Sequence, residues 1–228
     1  MRVTRNSSFA RQANRDSGAN QRGLSLFELL VVVAITLIAG AIAVPQINTM
    51  VRASRLASDA HGLAEEVTLA KMRAAANFTQ ARVHLDLAAG TYQLEVCTKN
   101  VTVASNNCTG TGYSWLNANG FPLEGPFPLS QGITAGLGGV GAAPPNTQPT
   151  LAQAPACLDS TGAAIGNSAC IIFNSRGISI DGTATSQPTS NGAFYITNGN
   201  SVYAVTVTAT GLIQTWRATV HGSGFSAL

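Results

Sequence analysis

Glu28 is the one charged residue in an otherwise apolar run from Leu24 to Val44. An ionised carboxylate at the centre of a membrane-spanning helix costs roughly 2.5–3.5 kcal/mol on insertion scales, and acids in such places usually serve a function. Glu28 therefore needs a reason to be there, and the residues around it are the first place to look.

Cysteine offers a second chemistry. Cys97, Cys108, Cys157 and Cys170 all follow the apolar run, on the side that would be exported, and two local pairs would close loops of similar size. That pattern suggests disulfides made in an oxidising compartment. Four cysteines allow three connectivities; proximity in sequence favours Cys97–Cys108 with Cys157–Cys170, each worth about 3 kcal/mol by loop entropy.

Other reactive types lack the spacing that chemistry needs. His61, His84 and His221 are far apart and have no metal-ligand spacing with one another or with the cysteines. Gly136-Leu-Gly-Gly-Val-Gly141 satisfies a dinucleotide-binding spacing, but Ala-Ala-Pro-Pro follows where a helix is required. No nucleophile-elbow sequence marks a catalytic serine. Trp115 and Trp216 read as core or interface residues. Arg176, in an Asn-Ser-Arg-Gly turn, is a candidate contact for a partner carboxylate. The expectation is a chain with no catalytic residue, metal or cofactor.

The elements that position these residues follow from periodicity. The 21 residues Leu24–Val44 make about 30 Å of helix, which matches the hydrocarbon core of a bilayer. Pro45 then lies inside what reads as one continuing helix, where a kink is expected. From Leu56 the apolar positions step by four and three through Ala60, Leu63, Val67, Ala70, Ala74 and Phe78, one stripe of an amphipathic helix.

After Phe78 the period becomes two. Val83, Leu85 and Leu87, then Tyr92, Leu94 and Val96, alternate with polar residues on either side of Ala89-Gly90, a β-hairpin with one buried face. Further strands are expected at 113–116, 169–173, 177–180, 193–197, 202–208 and 212–219, the run from Ser201 to Thr208 being the most β-branched. Between Asn119 and Ala156 the chain is rich in Gly and Pro and reads as a long functional or mobile loop.

Charge is unevenly placed. Five arginines and one aspartate precede Leu24, so the leader carries more than the whole chain's net +3 and the remainder is slightly acidic. Basic residues ahead of an apolar segment keep the N-terminus in the cytoplasm and send the C-terminus across. Beyond residue 100 the cations are Arg176 and Arg217, against Glu124, Asp159 and Asp181. Such a surface is poorly suited to neutralising phosphates, so nucleic acid is not an expected partner.

A basic leader ending in Gly23, then Leu24-Ser-Leu-Phe-Glu28-Leu-Leu-Val-Val-Val-Ala-Ile35, then Pro45, closely resembles the class III signal of type IV pilins and type II secretion pseudopilins. The resemblance implies that a prepilin peptidase cuts after Gly23 and N-methylates Leu24. It also implies that Glu28 pairs with the new amine of a neighbouring subunit's Leu24 during extraction into a filament. An ordinary secretory signal, cut after Ala41-Ile42-Ala43, is the competing reading; the acid, the length of the run and Pro45 argue against it.

Towards the C-terminus, Phe173-Asn-Ser-Arg-Gly177, Ala193-Phe-Tyr-Ile-Thr197 and Tyr203–Gly211 followed by Trp216-Arg217 look like the GspH/FimT group of minor pseudopilins. Some FimT-like pilins bind DNA through a Gly-Arg-x-Arg turn; the aligned residues here are Gly211-Leu212-Ile213-Gln214, without either arginine.

The implied layout is an α+β pilin fold. A cleaved leader at 1–23, a membrane segment at 24–45 and an amphipathic helix at 46–80 precede a periplasmic β-rich domain at 81–228. The implied partners are other pseudopilin or pilin subunits, the prepilin peptidase, the inner-membrane assembly platform and membrane lipid. The implied function is that of a minor pseudopilin in type II secretion, or alternatively a minor pilin of a type IV pilus.

Overall fold

The computed structural model describes residues 25–99, 108, 113–115, 122–183 and 186–228; Gly23, Leu24 and the leader lie outside the described residues. The chain divides into two compact units, Met1–Pro45 and Gln46–Leu228. Helix α1, Leu26–Ala76, contributes to both.

In the first unit every described side chain from Ser25 to Ala43 is exposed. The apolar residues there surround the helix, and by length and composition the helix can cross a membrane. Thr36, the hydroxyl in its middle, bonds back to the Val33 carbonyl at 2.9 Å, which satisfies it within the helix.

In the second unit the stripe Leu56, Ala60, Leu63, Val67, Ala70 and Ala74 is completely buried. Phe78, placed on that stripe by periodicity, is instead 84% exposed. The helix ends first, at Ala76 rather than at 80. Phe78 N–H bonds to Ala75 O and Thr79 N–H to Ala74 O, a closure in which Phe78 takes φ 49°. That left-handed residue belongs outside the helix, where glycine is usual.

Two antiparallel sheets follow. Among the described residues the first has the order β5-β2-β1-β7-β8, where β1 is Ala81–Asp86, β2 Thr91–Val96, β5 Glu124–Pro128, β7 Ser168–Phe173 and β8 Ser179–Ile180. The second has the order β12-β11-β10-β9-β6, where β6 is Thr134–Ala135, β9 Gly192–Thr197, β10 Ser201–Val207, β11 Ile213–Thr219 and β12 Ser226–Ala227. A short pair, β3 (Thr98–Lys99) with β4 (Tyr113–Ser114), stands apart.

One core joins the helix to both sheets: Leu56, Leu63 and Val67 meet Val83, Leu85, Ile171 and Phe173 from the first sheet and Phe194, Ile196, Val205 and Val207 from the second. Each large side chain buried there contributes about 1.5–3 kcal/mol. The hairpin forms with Val83 opposite Leu94. Its sheet is covered on both faces, not one, because Cys170 and Ile172 of β7 pack with Cys97, Cys108, Trp115 and Cys157 in a second cluster on the far side. The outer face of the second sheet is closed by Tyr195, Ala204 and Trp216 with Val140. Trp216 Nε1 donates to Thr206 Oγ1 at 2.9 Å.

The described part of 119–156 is not a free loop. It supplies β5 and β6, which stand at the edges of the two sheets, and buries Ile133, Val140 and Ala154. Gln153 clasps the edge of β9: its Nε2 donates to Tyr195 O and its Oε1 accepts from Tyr195 N, at 2.8 and 3.0 Å. Tyr195 Oη in turn donates to Gln148 Oε1 at 2.6 Å. At the β5 edge of the first sheet, Pro126 and Pro128 leave few N–H groups for a further strand.

Candidate functional site

Glu28 sits in the first turn of α1, where a carboxylate suits the positive end of the helix dipole. Its neighbours Leu26 and Phe27 are 82% and 74% exposed, and Leu29 and Leu30 more than half exposed. The Glu28 carboxylate has no partner among the described residues. Around Glu28 the described helix presents apolar side chains on all sides, so the acid stands alone on an apolar surface. Pro45 is helical in backbone, and its ring nitrogen has no hydrogen to donate to the preceding turn.

Both disulfides, Cys97–Cys108 and Cys157–Cys170, are present, and no free cysteine remains. They lie together in the layer on the far face of the first sheet. Beneath that layer is a site that reading the hairpin as a two-faced strand pair missed. Arg82 and Glu95, opposite each other in the β1–β2 register, have side chains only 3% and 2% exposed and form an ion pair through Arg82 Nε and Glu95 Oε2.

Each charge has further partners. Arg82 Nη1 donates to Leu158 O at 2.6 Å, and its guanidinium stacks 4.1 Å from the centre of the Trp115 ring. Glu95 Oε1 accepts from Gln93 Nε2 and lies 3.1 Å from His84 Nδ1. Burial alone would raise the Glu95 carboxyl; the His84 hydrogen bond, the Arg82 charge and Gln93 outweigh it and hold the carboxyl below its usual range. Burial lowers Arg82 against the pull of Glu95, but an arginine remains a cation. The cluster borders a recess of about 310 Å³ with Asp159 and Ser160 on its rim. Every ionic partner lies within the domain, so the arrangement is a structural staple. The cross-strand register was the signal, but it needed the hairpin to turn at Ala88-Ala89, which puts residue 82 opposite 95, and not at the Ala89-Gly90 expected from the sequence.

A third acid contrasts with both. Glu66, half-buried on the helix, is raised by burial first and then by Glu124 and Glu65, and its Oε2 is buried without a partner.

Arg176 is exposed in a turn built by Asn174, whose Oδ1 accepts from the N–H groups of Arg176 and Ile178 at 2.9 and 3.1 Å. The adjoining turn at Gly211 presses on Gly177: φ is 78° at Gly211, and a Cβ there would collide with the Gly177 carbonyl oxygen. Lys71 Nζ donates to Gly211 O at 2.9 Å and ties both turns to the helix. His61 and His221 are exposed and His84 half-buried, and the described residues contain no metal-holding group of three. The glycine run at 136–141 forms turns with no helix after it. The structure thus gathers the four cysteines into one layer, and leaves Glu28 and Arg176 as separate exposed features.

The family model for the prokaryotic N-terminal methylation motif matches residues 18–44, a stretch that contains Gly23, Leu24 and Glu28 and none of the second unit. No curated protein and no solved structure matches the chain significantly. The motif supports a type IV pilin-like protein and suggests a structural subunit rather than an enzyme. It implies processing by a prepilin peptidase and interaction with other pilin subunits. The single N-terminal apolar helix fits a single-pass membrane anchor.

Proposed function

We propose that the protein is a minor pseudopilin of the GspH/FimT type that takes part in protein export through a type II secretion pseudopilus. The observation that carries the reading is the methylation motif at the head of an apolar helix exposed on all sides, with one acid in its first turn. Cleavage after Gly23 frees the amine of Leu24; Glu28 of one subunit then pairs with that amine on the next. Removing both charges from lipid together turns an unfavourable monomer into a favourable filament contact.

The segment at 24–45 anchors the chain in the inner membrane with the domain in the periplasm, where its two disulfides form. The assembly platform in that membrane draws the subunit into the filament. Nucleic acid is not a partner in this reading: the Gly211–Gln214 turn has no arginine, and the ammonium of Lys71 beside it is committed to Gly211 O.

Two measurements test the proposal. Sequencing and mass analysis of the mature N-terminus should find methylated Leu24; a start at Val44 rejects it. Deletion of the gene should block secretion of exported enzymes and leave pili intact. Loss of piliation with normal secretion assigns the chain to a type IV pilus as a minor pilin instead.

A further inference from the structure

The first charges after the apolar run are Arg52 and Arg55. With Asn48 they fall at steps of four and three along α1, so all three lie on one face, and all are exposed. The turn at Gln131-Gly132 stands beside that face and closes a groove of about 410 Å³ lined by Asn48, Val51, Arg52, Arg55, Gln131 and Gly132. Arg55 Nη1 donates to Gln131 O at 3.4 Å, a long bond that leaves most of the fork free. Arg52 and the Asn48 amide have no hydrogen-bond partner among the described residues.

No carboxylate lines the groove. The nearest acid along the same face, Asp59, has both oxygens occupied, Oδ2 by Ser130 N–H and Oδ1 by Ser130 Oγ–H, each at 2.8 Å. Two guanidinium forks and an amide without an acceptor make a site for tetrahedral oxyanions, which arginine grips through paired donors.

We propose that this groove holds the phosphate of an anionic phospholipid headgroup. The occupant follows from position and charge. The groove begins three residues past Pro45 in sequence, where a helix leaving hydrocarbon meets headgroups. Basic residues just outside a spanning segment are drawn to anionic lipid, and long side chains reach back towards it. Positive charge on the exported flank also runs against the bias that orients the segment, so it requires a use. The proposal rests on the single-pass membrane reading.

The test uses the full chain. Flotation with phosphatidylcholine vesicles establishes the anchor. In detergent micelles doped with equal phosphatidylglycerol and phosphatidylcholine, native mass spectrometry reads the ratio of the two lipids retained. The expected result is flotation together with a preference for phosphatidylglycerol that falls about fivefold for each of Arg52→Gln and Arg55→Gln. Arg217→Gln, an exposed arginine on β11, should keep the preference.

Flotation without lipid preference, or a preference that the double variant retains, overturns the headgroup site and leaves the anchor standing. Failure to float overturns both. A retained preference combined with reduced crosslinking between copies assigns the groove to an acidic protein surface instead.

Discussion

Glu28 and Glu95 are both carboxylates set among apolar residues, yet their surroundings are opposite. Glu95 has an arginine, a histidine and a glutamine within its own sheet, and its side chain is 2% exposed. Glu28 has no partner among the described residues and stands on an exposed helix. Within the described residues Glu95 is matched inside its own sheet, while Glu28 is not matched on its helix. The satisfied charge belongs to the fold, and the unmatched one is the charge that the proposed subunit contact would use.

The contrast can be broken most severely at Glu95. Glu95→Ala strands Arg82 in the interior, and removing one partner of a buried pair costs about 3–5 kcal/mol. Denaturant unfolding of the domain, followed in the full chain, should register that loss, while Glu28→Ala, which lies outside the domain, should leave the domain's stability unchanged. Equal effects from the two substitutions would erase the distinction.

Acid should act through the same residue. The Glu95 carboxyl is depressed in the folded state, so the stability it contributes is present above the unfolded value near pH 4.3 and is lost as pH falls through the lower folded value. Glu66, raised in the folded state, works the other way: its contribution is present below the unfolded value and lost as pH rises. In a Glu66→Gln background, unfolding free energy should therefore hold steady from neutrality to about pH 5 and drop below about pH 4.3. An unchanged acid limb after Glu95→Ala would assign the drop to other groups.

At the other pole, Glu28→Leu should insert and be cleaved normally but enter filaments at least about tenfold less often, a difference of ~1.4 kcal/mol. Shear fractions compared by immunoblot measure it, and normal incorporation defeats the acid-amine account. The smallest change is a gain. Phe78→Gly relieves a left-handed conformation that disfavours a side chain by about 1–2 kcal/mol and removes a residue that is 84% exposed. It should raise the melting temperature without affecting either carboxylate.

Much of the domain was legible because period carries it. The stripe Leu56–Ala74 and the alternation of Val83, Leu85 and Leu94 mark the buried faces directly, and the strands expected at 169–173, 193–197, 202–208 and 212–219 form within a residue or two. What misled is equally physical. A period of two shows which side chains share a face, not what covers it; a disulfide-bonded layer lies over Arg82 and Glu95 where water was expected.

Phe78 kept the apolar spacing after the helix had closed. The short edge strands β5 and β6 were hidden in Gly- and Pro-rich sequence, whose composition resembles that of a loop. Glu28 was readable at once because its cost depends only on the run around it. The groove at Arg52 and Arg55 was not, since Gln131 reaches it from a distant part of the chain.

The prolines of β5 and the Gln153 clasp on β9 have a consequence for growth. If subunits assemble through the helix, as proposed above, open sheet edges would offer a competing way for copies to associate. Pro126, Pro128 and Gln153 obstruct the stretches of β5 and β9 edge they occupy, which leaves fewer strand-to-strand routes to compete with a helix-mediated one.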